Sequence, residues 1–229
     1  MIELRDVQFA YGENRFAMQI DRLCVVDGQR VCWIGPSGSG KTTLLHLVAG
    51  IFPAESGYVN TCGAELSAMR NAARRDFRIA NFGLVFQDFA LLDYLSVLDN
   101  ILLPYRISRV LRMEASVRER ARTIATNVGL GDMLARRPAE LSQGERQRVA
   151  VCRAIITRPK LLLADEPTAN LDPQNAVRVL DALEGYATEK QATLVVVSHD
   201  RDVVARFGEP TDVSNLSAPT PRARGGAHD

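Results

Sequence analysis

Three short apolar runs, each followed by polar or charged residues, dominate the hydrophobic pattern of the chain. They occupy residues 31–34, 161–164 and 193–197. Short continuous apolar runs are typical of strands buried on both faces of a mostly parallel sheet. Because functional groups gather at the carboxyl ends of such strands, we expect the polar residues that follow the three runs to lie close together.

Other stretches predict antiparallel strands and helices. Residues 2–20 alternate imperfectly around a turn-rich stretch at 11–14, which predicts a pair of antiparallel strands. After the first apolar run, residues 43–49 predict a helix that ends at Gly50. Between residues 113 and 128 the apolar positions recur at helical spacing, with charged residues on the other faces, so we expect an amphipathic helix there.

Length and composition restrict the class of protein. The 229 residues suffice for one α/β domain, or for a domain with an inserted subdomain. Lys and Arg number 28 against 27 Asp and Glu, so we expect no nucleic-acid partner. No apolar run approaches the roughly 20 residues of a membrane-spanning helix, and the N-terminal residues lack the layout of a signal peptide. We therefore expect a soluble, cytoplasmic protein.

The residues after the first apolar run match the phosphate-binding pattern G-x-x-x-x-G-K-[ST] in full. Glycines in such a loop let backbone amides approach phosphate oxygens, and the helix that follows adds its positive dipole end. We expect Lys41 to contact the β- and γ-phosphates, the Thr42 hydroxyl to ligate Mg²⁺, and Thr43 to bond the α-phosphate. The predicted nucleotide-binding set in this loop is Gly35, Pro36, Ser37, Gly38, Ser39, Gly40, Lys41, Thr42 and Thr43.

Two carboxylates follow the second apolar run. We expect Asp165 to hold Mg²⁺ through water and Glu166 to polarise the water that attacks the γ-phosphorus. An Asp-Glu pair at a strand end is sometimes surface charge alone, but the sequence of residues 167–172 argues against that interpretation. Asp172 precedes Pro173 and a predicted helix, so it is also a good N-cap.

Three further side chains are candidates on weaker signals. Gln87 follows a predicted strand at residues 82–86, and an amide there suits a Mg²⁺ ligand in a movable loop. His199 follows the third apolar run, where a lone histidine is more often structural than catalytic. Tyr11 offers an aromatic face ahead of the phosphate loop, although a tyrosine in a turn is usually just partly buried.

A second segment, Leu-Ser-Gln-Gly-Glu at residues 141–145, is followed by the basic run Arg-Gln-Arg-Val-Ala. Together with the phosphate loop it resembles the ATP-binding cassette (ABC) family, in which the P-loop of one subunit and the signature segment of another enclose the nucleotide. Asp165–Thr168 and the Asn-Leu-Asp that ends at Asp172 resemble the Walker B and D-loop sequences of this family. The implied fold is an α/β P-loop NTPase core with a mostly parallel sheet, an antiparallel β subdomain and an inserted α-helical subdomain.

The resemblance implies roles for the weaker candidates. Gln87 corresponds to the Q-loop glutamine, which links the γ-phosphate to the helical insertion. His199 corresponds to the switch histidine, which contacts the γ-phosphate and steadies the attacking water. Tyr11 stands where the family places an aromatic ring that stacks on adenine, and Asp172 is the D-loop aspartate.

The signature segment departs from the common family sequence Leu-Ser-Gly-Gly-Gln at its third and fifth positions. The residues expected to act on the nucleotide of a second copy are Ser142, Gln143, Gly144 and Glu145. The Ser142 hydroxyl and the Gly144 amide, expected to touch the γ-phosphate, are retained at the start of a helix whose dipole favours an anion. Glu145 adds a negative charge that weakens nucleotide affinity unless Arg146 or Arg148 offsets it.

The predicted organisation has three parts. Residues 1–88 and 160–216 form the nucleotide-binding α/β core with its N-terminal antiparallel subdomain, and residues 89–159 form the α-helical signature subdomain. Residues 217–229 are rich in Pro and Gly and are expected to be a disordered tail.

The predicted function is that of an ATP-binding and ATP-hydrolysing ABC subunit that dimerises head to tail around two Mg·ATP. It would drive a separate membrane permease and lie peripherally on the cytoplasmic face of the inner membrane through that partner. Residues 85–92 and 99–100 look most like the small ATPases of lipoprotein-releasing, macrolide-exporting and cell-division systems. Two alternatives are a soluble assembly ATPase of the iron–sulfur scaffold type and a regulatory module that transmits ATP closure across a membrane without transport.

Overall fold

The computed structural model of the chain describes residues 1–12 and 16–216. These residues form nine strands and seven α-helices. The strands are β1 (Ile2–Ala10), β2 (Ala17–Val25), β3 (Arg30–Ile34), β4 (Ser56–Thr61), β5 (Ala64–Glu65), β6 (Phe82–Val85), β7 (Leu161–Asp165), β8 (Thr193–Val197) and β9 (Thr211–Asp212). The helices are α1 (Lys41–Val48), α2 (Asn71–Asn81), α3 (Val97–Ile107), α4 (Ala115–Asn127), α5 (Gln143–Ile155), α6 (Pro173–Lys190) and α7 (Arg201–Val204).

One sheet is antiparallel, with the strand order β2-β1-β4-β5. Its β1 and β2 pair with Ile2 opposite Val25 and Ala10 opposite Ala17, which confirms the antiparallel pair that the alternation predicted. The predicted turn between them falls partly on residues 13–15, which lie outside the described residues. Strands β4 and β5 were not predicted, because their short segments carry no clear alternation.

The second sheet is parallel throughout, with the order β6-β7-β8-β3-β9. The three apolar runs form its central strands β7, β8 and β3, as predicted, and every residue of β7 and β8 is buried. Asp165 at the end of β7 and Trp33 near the end of β3 both pair with Val197. Because the strands end in register, the segments after them leave the sheet at one edge.

The helices between β6 and β7 have a hydrophobic cluster of their own. The amphipathic helix is confirmed as α4, which buries Val117, Ala121 and Ala125. Their shared cluster comprises Val97, Ile101, Leu102, Val117, Ala121, Ala125, Leu130, Leu141, Val149, Cys152 and Ile156. This separate cluster supports the division at residues 89–159, which stays a proposal; the predicted tail 217–229 lies outside the described residues.

The helices within residues 1–12 and 16–216 are too short or too polar to span a membrane.

Helix α5 rests directly on the parallel sheet at Gly83 in β6. A Cβ atom placed on Gly83 would lie 2.4 Å from the Ala154 carbonyl oxygen and 2.5 Å from Leu162 Cδ2. Both distances are shorter than non-bonded atoms tolerate, so a side chain there would push α5 off the sheet.

We expect Gly83→Ala to lower the free energy of unfolding by about 1–3 kcal/mol, because it overpacks this contact. Urea denaturation measures the change. The matched control is Gly185→Ala in α6, where no atom lies within 4 Å of the added Cβ. That exposed helical position should gain roughly 0.5–1 kcal/mol instead. A Gly83→Ala protein as stable as the unsubstituted chain would contradict the close contact.

Candidate nucleotide site

A cleft with a volume of about 720 Å³ opens at the carboxyl ends of β3, β7 and β8. The predicted residues that line it belong to the phosphate loop and to the segments after β6, β7 and β8. The lining comprises Phe16, Gly35, Pro36, Ser37, Gly38, Gly40, Lys41, Thr42, Thr43, Gln87, Asp165, Glu166 and His199. Tyr11, Ser39, Asp172 and the signature residues 142–145 are not part of this lining.

The phosphate loop is pressed against β2 at Gly40, the N-cap of α1. Gly40 has φ 94°, in the left-handed region, and a Cβ atom on it would lie 2.2 Å from Met18 Cε and 2.6 Å from Phe16 Cζ. Only glycine fits this position without displacing these side chains. Helix α1 begins directly after this turn, and its first residues Lys41, Thr42 and Thr43 line the cleft. The free backbone amides of a helix N-terminus favour an anion at such a place.

The Lys41 ammonium lies across this loop. Its Nζ donates hydrogen bonds to the carbonyl oxygens of Gly35, at 2.8 Å, and Pro36, at 3.1 Å. A positive charge is thus fixed beside the helix N-terminus, and both favour a phosphate group at the same place.

Asp165 is buried at the floor of the cleft, with 5% of its surface exposed. Burial raises the pKa of its carboxyl, and a hydrogen bond from the Thr42 hydroxyl partly opposes that shift. The Thr42 hydroxyl, the Asp165 carboxylate and the Gln87 side-chain amide all reach the cleft. Oxygen atoms of these kinds are the ligands that Mg²⁺ prefers, with water completing its shell, so the residues present fit that ion.

Glu166 is held in a conformation that non-glycine residues rarely adopt, with φ 46°. Its backbone N–H donates to the Val197 carbonyl oxygen at 2.9 Å, and the Ser198 hydroxyl donates to its Oε2 at 3.3 Å. Its Oε1 lies 2.7 Å from Nδ1 of His199. The carboxylate is therefore oriented from two sides, by a buried serine and by a histidine whose side chain is 75% exposed. Ser198 was not singled out from the sequence.

Tyr11 is engaged beside the cleft rather than within its lining. Its hydroxyl lies 3.2 Å from Thr43 Oγ1, and its ring packs edge-on against Phe9 and Phe52. The aromatic ring in the lining is that of Phe16, which sequence reasoning missed because nothing in the local pattern separates it from a strand residue. Stacking of Tyr11 on adenine stays a prediction.

Ser142, at the N-cap of α5, forms a reciprocal capping box with Glu145. The Ser142 backbone N–H and hydroxyl both donate to Glu145 Oε2, at 2.7 and 2.9 Å, and the Glu145 N–H donates to the Ser142 hydroxyl at 3.3 Å. The bond from the Ser142 backbone holds the pKa of the Glu145 carboxyl below its ordinary value. Glu145 therefore keeps its charge at neutral pH.

Neither arginine expected to offset Glu145 forms an ion pair with it among the described residues. Arg146 Nε donates to the carbonyl oxygens of Pro138 and Leu141. Arg148 donates to the Asn175 side chain and acts on Glu145 through its charge alone.

Asn175 connects Asp172, the predicted D-loop aspartate, to helix α5. Asp172 caps α6 by accepting hydrogen bonds from the Asn175 backbone N–H, at 3.0 Å, and side-chain amide, at 2.6 Å. The same amide group accepts a hydrogen bond from Arg148, and a Cβ atom on Gly144 would lie 2.6 Å from Asn175 Cγ. Asp172 is thus an N-cap, as its position before Pro173 indicated. Asn175 carried no sequence signal, because this contact joins segments far apart in the chain.

The fold and this arrangement define a P-loop ATPase cassette, and comparison with known families agrees. Residues 19–169 match the family described as ABC transporter, and the chain belongs to that family. ATP hydrolysis is the general reaction of the family, so the predicted family and enzyme class are confirmed.

Among curated proteins, the relatives include ATP-binding proteins of lipoprotein-releasing systems. The chain is 42% identical over 208 residues to the "Lipoprotein-releasing system ATP-binding protein LolD" of Psychrobacter arcticus, covering 90% of this chain and 92% of that protein. It is 36% identical over 210 residues to LolD 2 of Rhodopseudomonas palustris, covering 90% of each. It is also 38% identical over 211 residues to the "Uncharacterized ABC transporter ATP-binding protein YbbA" of Escherichia coli, covering 90% and 91%.

Solved structures confirm the predicted fold class. The ATP-binding cassette MJ0796, in a dimeric post-hydrolysis state bound to ADP and Pi, superposes with a TM-score of 0.83 at 30% identity and covers 93% of this chain and 95% of its own. A second dimeric structure of MJ0796 gives a TM-score of 0.82 at 31% identity, with the same coverage.

We expect Ser142→Ala to lower the free energy of unfolding by about 1 kcal/mol, because it removes the side-chain cap of α5. Urea denaturation measures this loss, and Ser142→Thr, which keeps the hydroxyl, serves as the control. If the alanine variant unfolds at the same urea concentration as the unsubstituted chain, the capping box does not stabilise the helix in solution.

Proposed function

We propose that the chain binds Mg·ATP in the cleft at the ends of β3, β7 and β8, and hydrolyses it as the ATPase subunit of an ABC transporter. The observation that carries this proposal is the convergence of Lys41, Asp165 and Glu166 in one cleft. A fixed cation, a metal-binding carboxylate and an oriented base are the parts that phosphoryl transfer to water requires.

Each residue then has a distinct role. The α1 amides and the Lys41 ammonium bind the β- and γ-phosphates, and Thr42, Asp165 and Gln87 hold Mg²⁺ directly or through water. The ion, when bound, neutralises charge that develops on the phosphate oxygens. Glu166 accepts a hydrogen bond from the attacking water, since its carboxylate lies in the cleft lining. His199 and Ser198 keep that carboxylate aimed at the γ-phosphate.

A second copy of the chain completes the site. Ser142 and Gln143 are exposed at the N-terminus of α5 and lie outside the cleft of their own copy. The backbone amides and dipole of a helix N-terminus favour a phosphate, so these residues suit the nucleotide of a partner. Both cassette structures that the chain resembles are dimeric. We propose a head-to-tail dimer with two Mg·ATP between its copies.

The partner that ATP hydrolysis by this chain drives is a membrane permease. Relatives over nearly the whole chain are ATP-binding proteins of lipoprotein-releasing systems. The helical region also exposes large apolar side chains, with Tyr94 72%, Ile107 65% and Val110 52% accessible. Such side chains suit a surface that another protein covers. The chain would then lie on the cytoplasmic face of the inner membrane through this partner.

We expect Glu166→Gln to lower kcat for ATP hydrolysis by roughly 100-fold or more, because the amide cannot act as a base toward water. The variant retains ATP binding and accumulates as an ATP-bound dimer, which size-exclusion chromatography with ATP detects. Lys41→Ala is the control that separates binding from chemistry, since it should bind no ATP in calorimetry and form no dimer. Unchanged turnover in Glu166→Gln would refute the role of Glu166.

We expect Glu145→Gln to form the ATP-bound dimer at a several-fold lower ATP concentration. Glutamine can retain the capping box but removes a negative charge near the proposed position of the partner's γ-phosphate. At a solvent-exposed site such a charge contributes about 0.5–1 kcal/mol, or roughly two- to fivefold in ATP concentration.

The Glu166→Gln background allows this measurement with little turnover, by following the dimer fraction against ATP concentration. Glu140→Gln is the matched control, because Glu140 accepts from the Arg137 N–H in the neighbouring capping box. An ATP requirement in Glu145→Gln equal to that of the parent would show that the Glu145 charge does not oppose closure.

A further inference from the structure

Arg153, near the C-terminal end of α5, is a buried cation whose hydrogen bonds go to a loop. Only 9% of its surface is exposed, and its guanidinium donates to the backbone carbonyl oxygens of Phe89, at 2.6 Å, and Ala90. Burial lowers its pKa to about 10, with no nearby carboxylate contributing to the shift. Within residues 1–12 and 16–216 Arg153 has no ion pair. Its hydrogen bonds to the Phe89 and Ala90 carbonyl oxygens therefore compensate for the loss of water around the guanidinium.

The loop that Arg153 binds has a backbone conformation that needs outside support. Phe89 and Ala90 have φ values of 56° and 50°, in the left-handed region that non-glycine residues rarely occupy. Two successive residues of this kind persist only when neighbouring groups hold them. The Arg153 guanidinium, with its donors in a fixed planar fork, suits two adjacent carbonyls in this geometry.

The far end of the same loop is fixed by a buried asparagine. The Asn100 side chain accepts a hydrogen bond from the Leu92 N–H at 2.8 Å and donates to the Leu92 carbonyl oxygen at 3.1 Å. Asn100 itself is fully buried in the helical region. Gln87 lies just before the Arg153 contact, in the cleft lining. Groups of the helical region therefore hold both ends of the loop after Gln87, and the carbonyls that Arg153 binds are the ones closer to Gln87 in sequence.

We propose that Arg153 is a positioning residue that places Gln87 in the nucleotide cleft and couples it to the signature helix. The proposal rests on the function proposed above. Ser142 caps the N-terminus of α5, and Arg153 lies about 16 Å further along the same helix. Because the helix moves as one body, a displacement of Ser142 on closure against a partner's nucleotide also displaces the carbonyls of Phe89 and Ala90. Gln87 then reaches its position at the nucleotide only when α5 has closed against the nucleotide of the partner.

The test is ATP hydrolysis by Arg153→Met, which keeps the length of the apolar stem and removes the donors. We expect kcat to fall roughly 10- to 100-fold, because a small misplacement of Gln87 suffices for a loss of that size. The Kd for ATP, measured on each variant by calorimetry, should stay within about twofold, since the phosphate loop is untouched. Arg153→Lys, with one ammonium in place of the fork, should lose less than the methionine variant.

A double-mutant cycle separates positioning of Gln87 from general loosening of the helical region. If Arg153 acts through Gln87, adding Arg153→Met to Gln87→Ala causes little further loss of kcat. Arg120→Met is the matched control: Arg120 also donates to a backbone carbonyl, that of Ile156, and to the Tyr105 hydroxyl, but does not touch the loop. Its effect should be small and should add to that of Gln87→Ala.

Several results would overturn the proposal. These are wild-type kcat in Arg153→Met, a loss that multiplies fully with that of Gln87→Ala, or a loss that appears in the Kd for ATP. If the methionine variant is too unstable to assay, the lysine variant is judged in the same cycle by the same criteria. Absence of ATP hydrolysis in the unsubstituted chain would instead overturn the proposed function on which the inference rests.

Discussion

The register of the parallel sheet is the constraint on which the candidate site depends. Strands β7 and β3 both pair with β8, and Asp165 and Trp33 share Val197 as their partner. The segments after β3, β7 and β8, distant in sequence, therefore leave the sheet at one edge. At the same edge, the carbonyl oxygen of Val197 in β8 accepts a hydrogen bond from the Glu166 N–H. A slip of one residue would turn every side chain of the shifted strand to the opposite face and separate the carboxylates from the phosphate loop.

Much of this could be predicted because its signals are local. A buried parallel strand needs a short apolar run, a phosphate loop needs glycines at fixed spacing, and a helix N-terminus needs a cap, and each is visible within a few residues. Phe16, Ser198, Asn175 and Arg153 were missed for the opposite reason. Each acts through a contact with a segment distant in sequence. Arg153 is buried in the fold, but the helical pattern alone does not distinguish a buried arginine from a solvated one.

Two of the missed residues, Asn175 and Arg153, take part in contacts that attach helix α5 to neighbouring segments. Arg153 reaches the loop after Gln87, Arg148 reaches the cap of α6 through Asn175, and Gly83 lets the helix lie flat on β6. A rigid helix attached at several points transmits displacement better than a flexible loop. The proposed dimer requires this property, because a nucleotide bound by one copy has to be sensed by the catalytic residues of the other.

Glu145, which departs from the common signature sequence, lies near the N-terminus of α5, at the opposite end from Arg153. There too, a contact that holds the helix bears on the proposed dimer. The Ser142 hydroxyl has a single proton, which the capping box directs to Glu145 Oε2. In the proposed dimer the Ser142 hydroxyl donates that proton to the partner's γ-phosphate, so the nucleotide and the Glu145 carboxylate would compete for one donor. On this proposal, the interaction that stabilises the helix in the free copy opposes closure of the dimer. Glutamine at this position could cap the helix without the charge of a carboxylate. The charge of Glu145 would therefore set the ATP concentration at which the proposed dimer closes.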